Sequence, residues 1–309
     1  MYRAVYPSYL ELVKGVGAAY DLPIERVDLR YMEHWFFTLL WWRLFEYEEF
    51  EKVTDYYHPR KGIFDFSECS IVSCHDEKSN NHLIGRNFDV TSDRPHFVVT
   101  TELEGAYRTI GNACYMLYHW IEDGFNEKGL YVGVATNGHP SRYNQKEPQY
   151  PDSPAVQIIH MARIVLDRCA SVDEALELIR SVRIWFPVEV NHLLIADATG
   201  KAAVVEFDTS RNMVAFHKEE PYLILTNTAY QEGINYVRDN CSRYRKAENM
   251  LKSERGGCDR MLSVMRAIQL KSGNSRTLWT SISDISSQQI DVRFRSEDFE
   301  VPHLFKIGR

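Results

Sequence analysis

The sequence predicts an α+β fold in which antiparallel sheets and helices stack as layers. Apolar runs of strand length, separated by polar turns, fall in two blocks on either side of a helical middle. Hairpin signals connect neighbouring runs, which favours antiparallel pairing over a doubly wound parallel sheet. No glycine-rich loop of the dinucleotide-binding or P-loop type is present, so phosphate-cradling functions drop out.

Taken in order, residues 1–68 are rich in rings: 17 of the chain's 39 Phe, Trp and Tyr side chains lie there, too many for a segment that stays unpacked. Ser8 and Glu11 form a capping box, and Tyr9, Val13, Val16 and Tyr20 recur at helical spacing until Asp21-Leu22-Pro23 stops the helix. A second helix is expected over residues 27–52. From Cys69 the period changes to strands at 70–74, 83–88, 97–101 and 130–136. Two helices follow, the first opened by Ser153-Pro154 and the second by a capping box of Ser171 and Glu174. Residues 192–196 and 202–207 flank the turn Asp197-Ala198-Thr199-Gly200 as a hairpin, and the last strands are expected at 222–226, 278–282 and 290–294. With no repeat, low-complexity tract or long linker, residues 1–309 read as a single domain.

Composition narrows the function classes. A chain that is 44% hydrophobic and 26% charged builds a packed core. Its 36 Lys and Arg against 43 Asp and Glu give a formal charge of −7, so no positive field draws in nucleic acid or anionic lipid. The longest aromatic and aliphatic run, residues 35–45, contains Thr38 and Arg43 and is well short of the roughly 20 residues of a membrane span. No charged stretch leads into an apolar signal segment at the start of the chain, and the expected location is cytoplasmic. Six cysteines lie scattered without CxxC pairs, which suggests neither a disulfide framework nor a zinc knuckle. The eleven histidines show no HExxH motif, so neither a metal nor another cofactor is expected.

Candidate chemistry centres on Glu68-Cys69-Ser70, which opens one strand, and Gly85-Arg86-Asn87-Phe88-Asp89, which closes the next. A hairpin between them could bring Cys69, Arg86 and Asp89 together. By spacing alone, Cys69 reads first as a buried core residue, and Arg86 and Asp89 could equally be a structural ion pair. Cys74 and His75 invite a dyad, but adjacent strand residues point to opposite faces. Asn137 and Asn227 end strands, where asparagine favours turns, and Arg243 stands among Arg238, Arg245 and Lys246 as on a solvated helix face.

Set in order, these segments resemble the cysteine branch of the N-terminal-nucleophile (Ntn) hydrolases: choloylglycine hydrolases, penicillin V acylases, acid ceramidase-like amidases and acyl-coenzyme A:6-aminopenicillanic acid acyltransferases. The carriers are Cys69-Ser70, Gly85 to Asp89, the segment Asp123-Gly124-Phe125-Asn126-Glu127-Lys128-Gly129-Leu130 with Asn137 after the next strand, Leu225-Thr226-Asn227, and Ser242-Arg243-Tyr244. The acyltransferase-like members resemble the chain best in layout, because they too carry a helical segment ahead of the cysteine and remove it by self-cleavage.

The resemblance implies a four-layer αββα sandwich of two antiparallel sheets. It implies scission of the Glu68–Cys69 bond, with residues 1–68 retained as a small subunit beside a catalytic subunit of residues 69–309. Cys69 would then be the nucleophile and its own α-amine, with an ordinary pKa of about 7.7–8.0, the general base. Arg86 would favour thiolate, Asp89 would orient the amine, Asn227 and the backbone N–H near Asn137 would bind the oxyanion, and Arg243 would brace the site. The implied substrate is a small-molecule N-acyl amide, cleaved at a linear non-peptide C–N bond. Acyl transfer to an amine and an uncleaved, non-catalytic binding relative are the alternatives. Association into a homo-oligomer is left open.

Overall fold

The computed structural model describes residues 69–307 apart from 77–80, 91–95, 115–120, 138–155, 186–190, 209–211, 254–259 and 272–274. The helices expected before residue 68, the bond at Glu68 and the cap at Ser153 lie outside the described residues. Those described belong to one compact unit, Phe64–Arg309.

Two antiparallel sheets face each other. The first contains β1 (Ser70–Asp76), β2 (Asn81–Val90), β12 (Tyr222–Leu225), β13 (Arg276–Asp284), β14 (Gln289–Phe294) and β15 (His303–Lys306), in the order β12-β1-β2-β13-β14-β15. The second contains β3 (His96–Thr101), β4 (Thr109–Cys114), β5 (Asp123–Asn126), β6 (Leu130–Thr136), β9 (Asn191–Asp197), β10 (Ala202–Phe207) and β11 (Met213–His217), in the order β11-β10-β9-β6-β5-β4-β3. Two short strands, β7 (Val156–Gln157) and β8 (Ile184–Trp185), pair in parallel apart from these.

Helices cover the outer faces. Helix α1 (Ile158–Arg168) packs on β5, β6 and β9, and α2 (Val172–Ser181) packs on β9 and β11. On the other side, α3 (Ile234–Asn240) packs on α4 (Ser242–Lys252), which contacts β12, while α5 (Met261–Ala267) lies on β1, β2 and β13. The result is the αββα sandwich expected. Helix α2 starts as the sequence predicts, with the Ser171 side chain accepting from the Glu174 N–H and the Glu174 carboxylate accepting from Ala170 N–H.

Strand alternation decides which residues meet. Gly85 of β2 lies against Met261 and Met265 of α5, with no room for a Cβ. Its neighbours Ile84 and Arg86 therefore point the other way, into the space between the sheets. On β1, Ile71 pairs with Arg86 and reaches Gly133 of the opposite sheet. Gly111 and Gly124 face each other across β4 and β5, where a Cβ on Gly124 would sit 2.7 Å from the Gly111 Cα, so the two strands can approach only as glycines. A bulge at Leu278 breaks the β2–β13 register, so that Thr277 pairs with Asp89 and Trp279 with Phe88.

Cysteine chemistry departs from expectation at one position. Cys69, Cys169 and Cys241 are free, but Cys74 is disulfide-bonded. The scattered spacing hid this bond, because pairing depends on proximity in the fold rather than on sequence interval. Among the described residues no helix is long and apolar enough to cross a membrane.

One buried histidine, His82, ties the two sheets and is expected to make the fold acid-sensitive. His82 on β2 is fully buried, with Nδ1 donating to the Asp197 carbonyl at 2.7 Å and Nε2 accepting from Ser73 Oγ at 2.7 Å. Burial holds its pKa down at about 4, so the unfolded chain takes up a proton below pH 6.5 that the folded one refuses until about pH 4. Stability from this group is complete above pH 6.5 and is lost as the pH falls toward 4. His82 is expected to remove about 2 kcal/mol of stability between pH 7 and pH 5. Urea midpoints of the protein and of His82→Gln at the two pH values check this: the variant should lose less stability on acidification.

Candidate active site

The register of the first sheet sets the site. Ile71 pairs with Leu225 on one side and with Arg86 on the other. Continuing that register, Cys69 stands opposite Asn227 at the end of β12 and beside the end of β2 that carries Asp89. The expected hairpin between the cysteine strand and the Arg86 strand is thus present.

Arg86 is 1% exposed. Its Nη1 donates to the Glu122 and Val134 carbonyls, both at 2.8 Å, which belong to the opposite sheet or its approach. Its Nη2 donates to Cys69 Sγ at 3.5 Å and lies 3.7 Å from Glu122 Oε2. Its Nε faces Asp123 Oδ1 at 3.5 Å, an ionic contact too poorly aligned for a hydrogen bond. Burial opposes the guanidinium charge, but Cys69, Asp123 and Glu122 together raise its pKa. The cation is permanent.

Cys69 is buried, and burial pushes its thiol pKa up. Arg86 pulls it down, whereas Asp89 and Glu122 add to the rise. Asp89 is fully buried; it accepts from Thr277 Oγ1 at 2.5 Å on one oxygen and from Arg243 Nη1 at 3.4 Å on the other. The Leu278 bulge is what brings Thr277 opposite Asp89.

Arg243 ties the parts together. From the first turn of α4, its Nη1 donates to the Cys69 carbonyl at 2.8 Å and to Ser70 Oγ at 2.7 Å, and its Nη2 donates to Asn227 Oδ1 at 3.1 Å. That bond fixes the Asn227 amide orientation and turns Nδ2 toward the Thr136 carbonyl, 2.7 Å away. One Nδ2 hydrogen remains to be offered elsewhere. Arg243 is therefore not on a solvated face: the helix lies against β12 and turns this guanidinium inward.

Five of the six site residues read from the sequence, Cys69, Arg86, Asp89, Asn227 and Arg243, thus form one hydrogen-bonded cluster. Asn137 follows Thr136 and is buried, with Oδ1 unpartnered, so it adjoins the cluster without a side-chain bond into it. Cys74 and His75 do not form a dyad: Cys74 is in its disulfide, and the His75 ring packs edge-on against His82 at 5.4 Å.

Sequence reasoning missed the groups that hold Arg86 and Asp89. Asp123 lies within the segment Asp123 to Leu130, but no local signal sets it, Glu122, Asn112 or Thr277 apart from ordinary polar strand residues. The neighbouring Asn126 is a structural lock, accepting from the Lys128 and Leu130 N–H groups and donating to the Leu166 and Cys169 carbonyls. Gly129 adopts φ 78° in the same turn.

A family model described as acyl-coenzyme A:6-aminopenicillanic acid acyl-transferase matches residues 76–298. The chain belongs to this family. A penicillin V acylase from Pectobacterium atrosepticum is 29% identical over 115 residues, a match that spans 34% of this chain and 30% of that relative. Among solved structures, a conjugated bile acid hydrolase from Clostridium perfringens aligns with TM-score 0.64 at 15% identity, covering 77% of this chain and 92% of that one. A penicillin V acylase from Agrobacterium tumefaciens aligns with TM-score 0.55 at 21% identity, covering 77% and 85%. These likenesses establish the Ntn-hydrolase fold of the choloylglycine hydrolase type.

The cluster has a stability signature. Arg86→Met leaves two main-chain carbonyls without their donor and Asp123 without its counter-ion, at an expected cost of about 3–5 kcal/mol. Adding Asp123→Asn to that variant should restore more than about 1 kcal/mol, since the buried negative charge is then gone. Denaturant unfolding of the single and double variants measures both, and strictly additive losses would contradict the pairing.

Proposed function

We propose that the protein is a self-processing N-terminal-cysteine amidohydrolase that cleaves the linear, non-peptide C–N bond of a small N-acyl amide. The observation that carries this reading is the junction at Arg243, whose guanidinium hydrogen-bonds Cys69, Ser70, Asp89 and Asn227 at once beside a sulfur that Arg86 contacts.

In this reading, breaking the Glu68–Cys69 bond frees the Cys69 α-amine, which takes the thiol proton as the sulfur attacks the substrate carbonyl. Asp89 accepts from the resulting ammonium and keeps it directed at the sulfur. Asn227 offers its second Nδ2 hydrogen to the oxyanion, joined by the N–H near Asn137. The ammonium then protonates the departing amine, leaving an acyl thioester on Cys69 that water hydrolyses. Residues 1–68 stay bound as the small subunit. The description of the family favours a second reading, in which an acceptor amine replaces water at the thioester; adding amine and measuring how the products divide separates the two.

Purified protein is expected to show fragments of 68 and 241 residues (309 − 68 = 241) by intact mass and N-terminal sequencing, and Cys69→Ala is expected to show neither cleavage nor turnover. Penicillin V and a conjugated bile acid, the compounds in the names of the similar proteins, are the first probes. Full amidase activity in a single uncleaved chain would refute the scheme.

Asn227→Ala is expected to lower kcat by about 10²- to 10³-fold with an unchanged thermal midpoint, the scale of one lost oxyanion donor. A variant that keeps its rate and melts earlier would make Asn227 a turn residue instead.

A further inference from the structure

Arg86 serves more groups than the sulfur. Its guanidinium lies among Cys69 Sγ, Glu122 and Asp123, so one cation is shared by one thiol and two consecutive carboxylates. Its position does not depend on either carboxylate, because Nη1 is held by two main-chain carbonyls.

Asp123 is surrounded by groups that favour its charged form. Asn112 Nδ2 donates to both of its oxygens, at 3.2 and 3.1 Å, and the Tyr131 and Ser281 hydroxyls donate to Oδ2 at 3.4 and 3.3 Å. The Asn112 amide is set that way round by His96, whose Nε2 donates to Asn112 Oδ1 at 3.0 Å. Burial is the largest influence on Asp123 and raises its carboxyl pKa, and Arg86 with the hydrogen bonds from Asn112, Ser281 and Tyr131 pulls against that rise.

We propose that Asp123, with Glu122 beside it, is a positioning residue that acts through Arg86: the pair draws on the guanidinium charge that would otherwise bear wholly on the Cys69 sulfur. Asp123 and the sulfur compete for one counter-ion from different edges of a planar group. The consequence is a nucleophile that keeps its proton until the general base takes it, rather than a standing thiolate open to oxidation. The charged and titratable groups that face this assembly are Asp89 and Arg243 at Cys69, and Tyr131 at Asp123. The proposal uses Cys69 as the nucleophile of the reading above, but the ionisation of its thiol can be measured without any substrate.

The test is the pH dependence of Cys69 alkylation by iodoacetamide, followed on the Cys69 peptide by mass spectrometry, in the full-length protein as purified. Asp123→Asn preserves shape and removes the charge. It is expected to shift the alkylation midpoint down by about one pH unit, making Cys69 about tenfold more reactive below the wild-type midpoint. Glu122→Gln, at a more exposed carboxylate, is expected to shift it the same way by less, and it decides the matter if Asp123→Asn does not fold. A purely structural contribution would lower the thermal midpoint without moving the alkylation profile downward. An unmoved or raised midpoint in a folded variant overturns the proposal. A wild-type Cys69 that resists the reagent at every pH overturns instead the reading of Cys69 as nucleophile, and the proposal with it.

Discussion

A buried guanidinium needs partners for its N–H groups, and Arg86 finds them for both terminal nitrogens by crossing from one sheet to the other, while Nε faces Asp123 in an ionic contact alone. Two of its hydrogens are spent on main-chain carbonyls at β5 and β6, which pins the spacing between the sheets at this end of the sandwich. The sulfur and both carboxylates then take up whatever directions remain. A lysine could supply the charge but not the planar fork that makes these contacts together. The arrangement is expensive to desolvate, which is why it is supported by a surrounding set of neutral donors rather than left as an isolated ion pair.

A second guanidinium does for the first sheet what Arg86 does between sheets. Arg243 reaches in from α4 and closes the gap between the start of β1 and the end of β12. Asp89 belongs to this second system, accepting from Arg243 and held by Thr277 beside the Leu278 bulge. Without that extra residue in β13, strict alternation would present a different side chain to Asp89.

Much of this was legible in the chain. The strand alternation of residues 70–74 and 83–88, the turn at Asp197 to Gly200 and the capping box at Ser171 each rest on local physics, and each appears where the local signal lies. Strands β4 and β5 were not anticipated, because their apolar residues are interrupted by Gly111, Asn112 and Gly124, which serve close strand approach and the Asp123 network rather than a hydrophobic face. Arg243 was weighed as a surface charge for a similar reason: charge clustering along a helix says nothing of which member turns inward. Asp123, Glu122 and Thr277 were missed because their importance is relational. Each matters through a residue more than thirty positions away, and no spacing rule reports that.

The pairing of β1 with β12 carries one further consequence. Cys69 directly precedes β1 and Asn227 lies just past β12, so the ladder that pairs Ile71 with Leu225 brings the two residues to the same end of neighbouring strands. Connections elsewhere on the rim can lengthen, shorten or change character without disturbing that placement. The Cys69–Asn227 end of the sheet can keep its geometry while the rim around it varies.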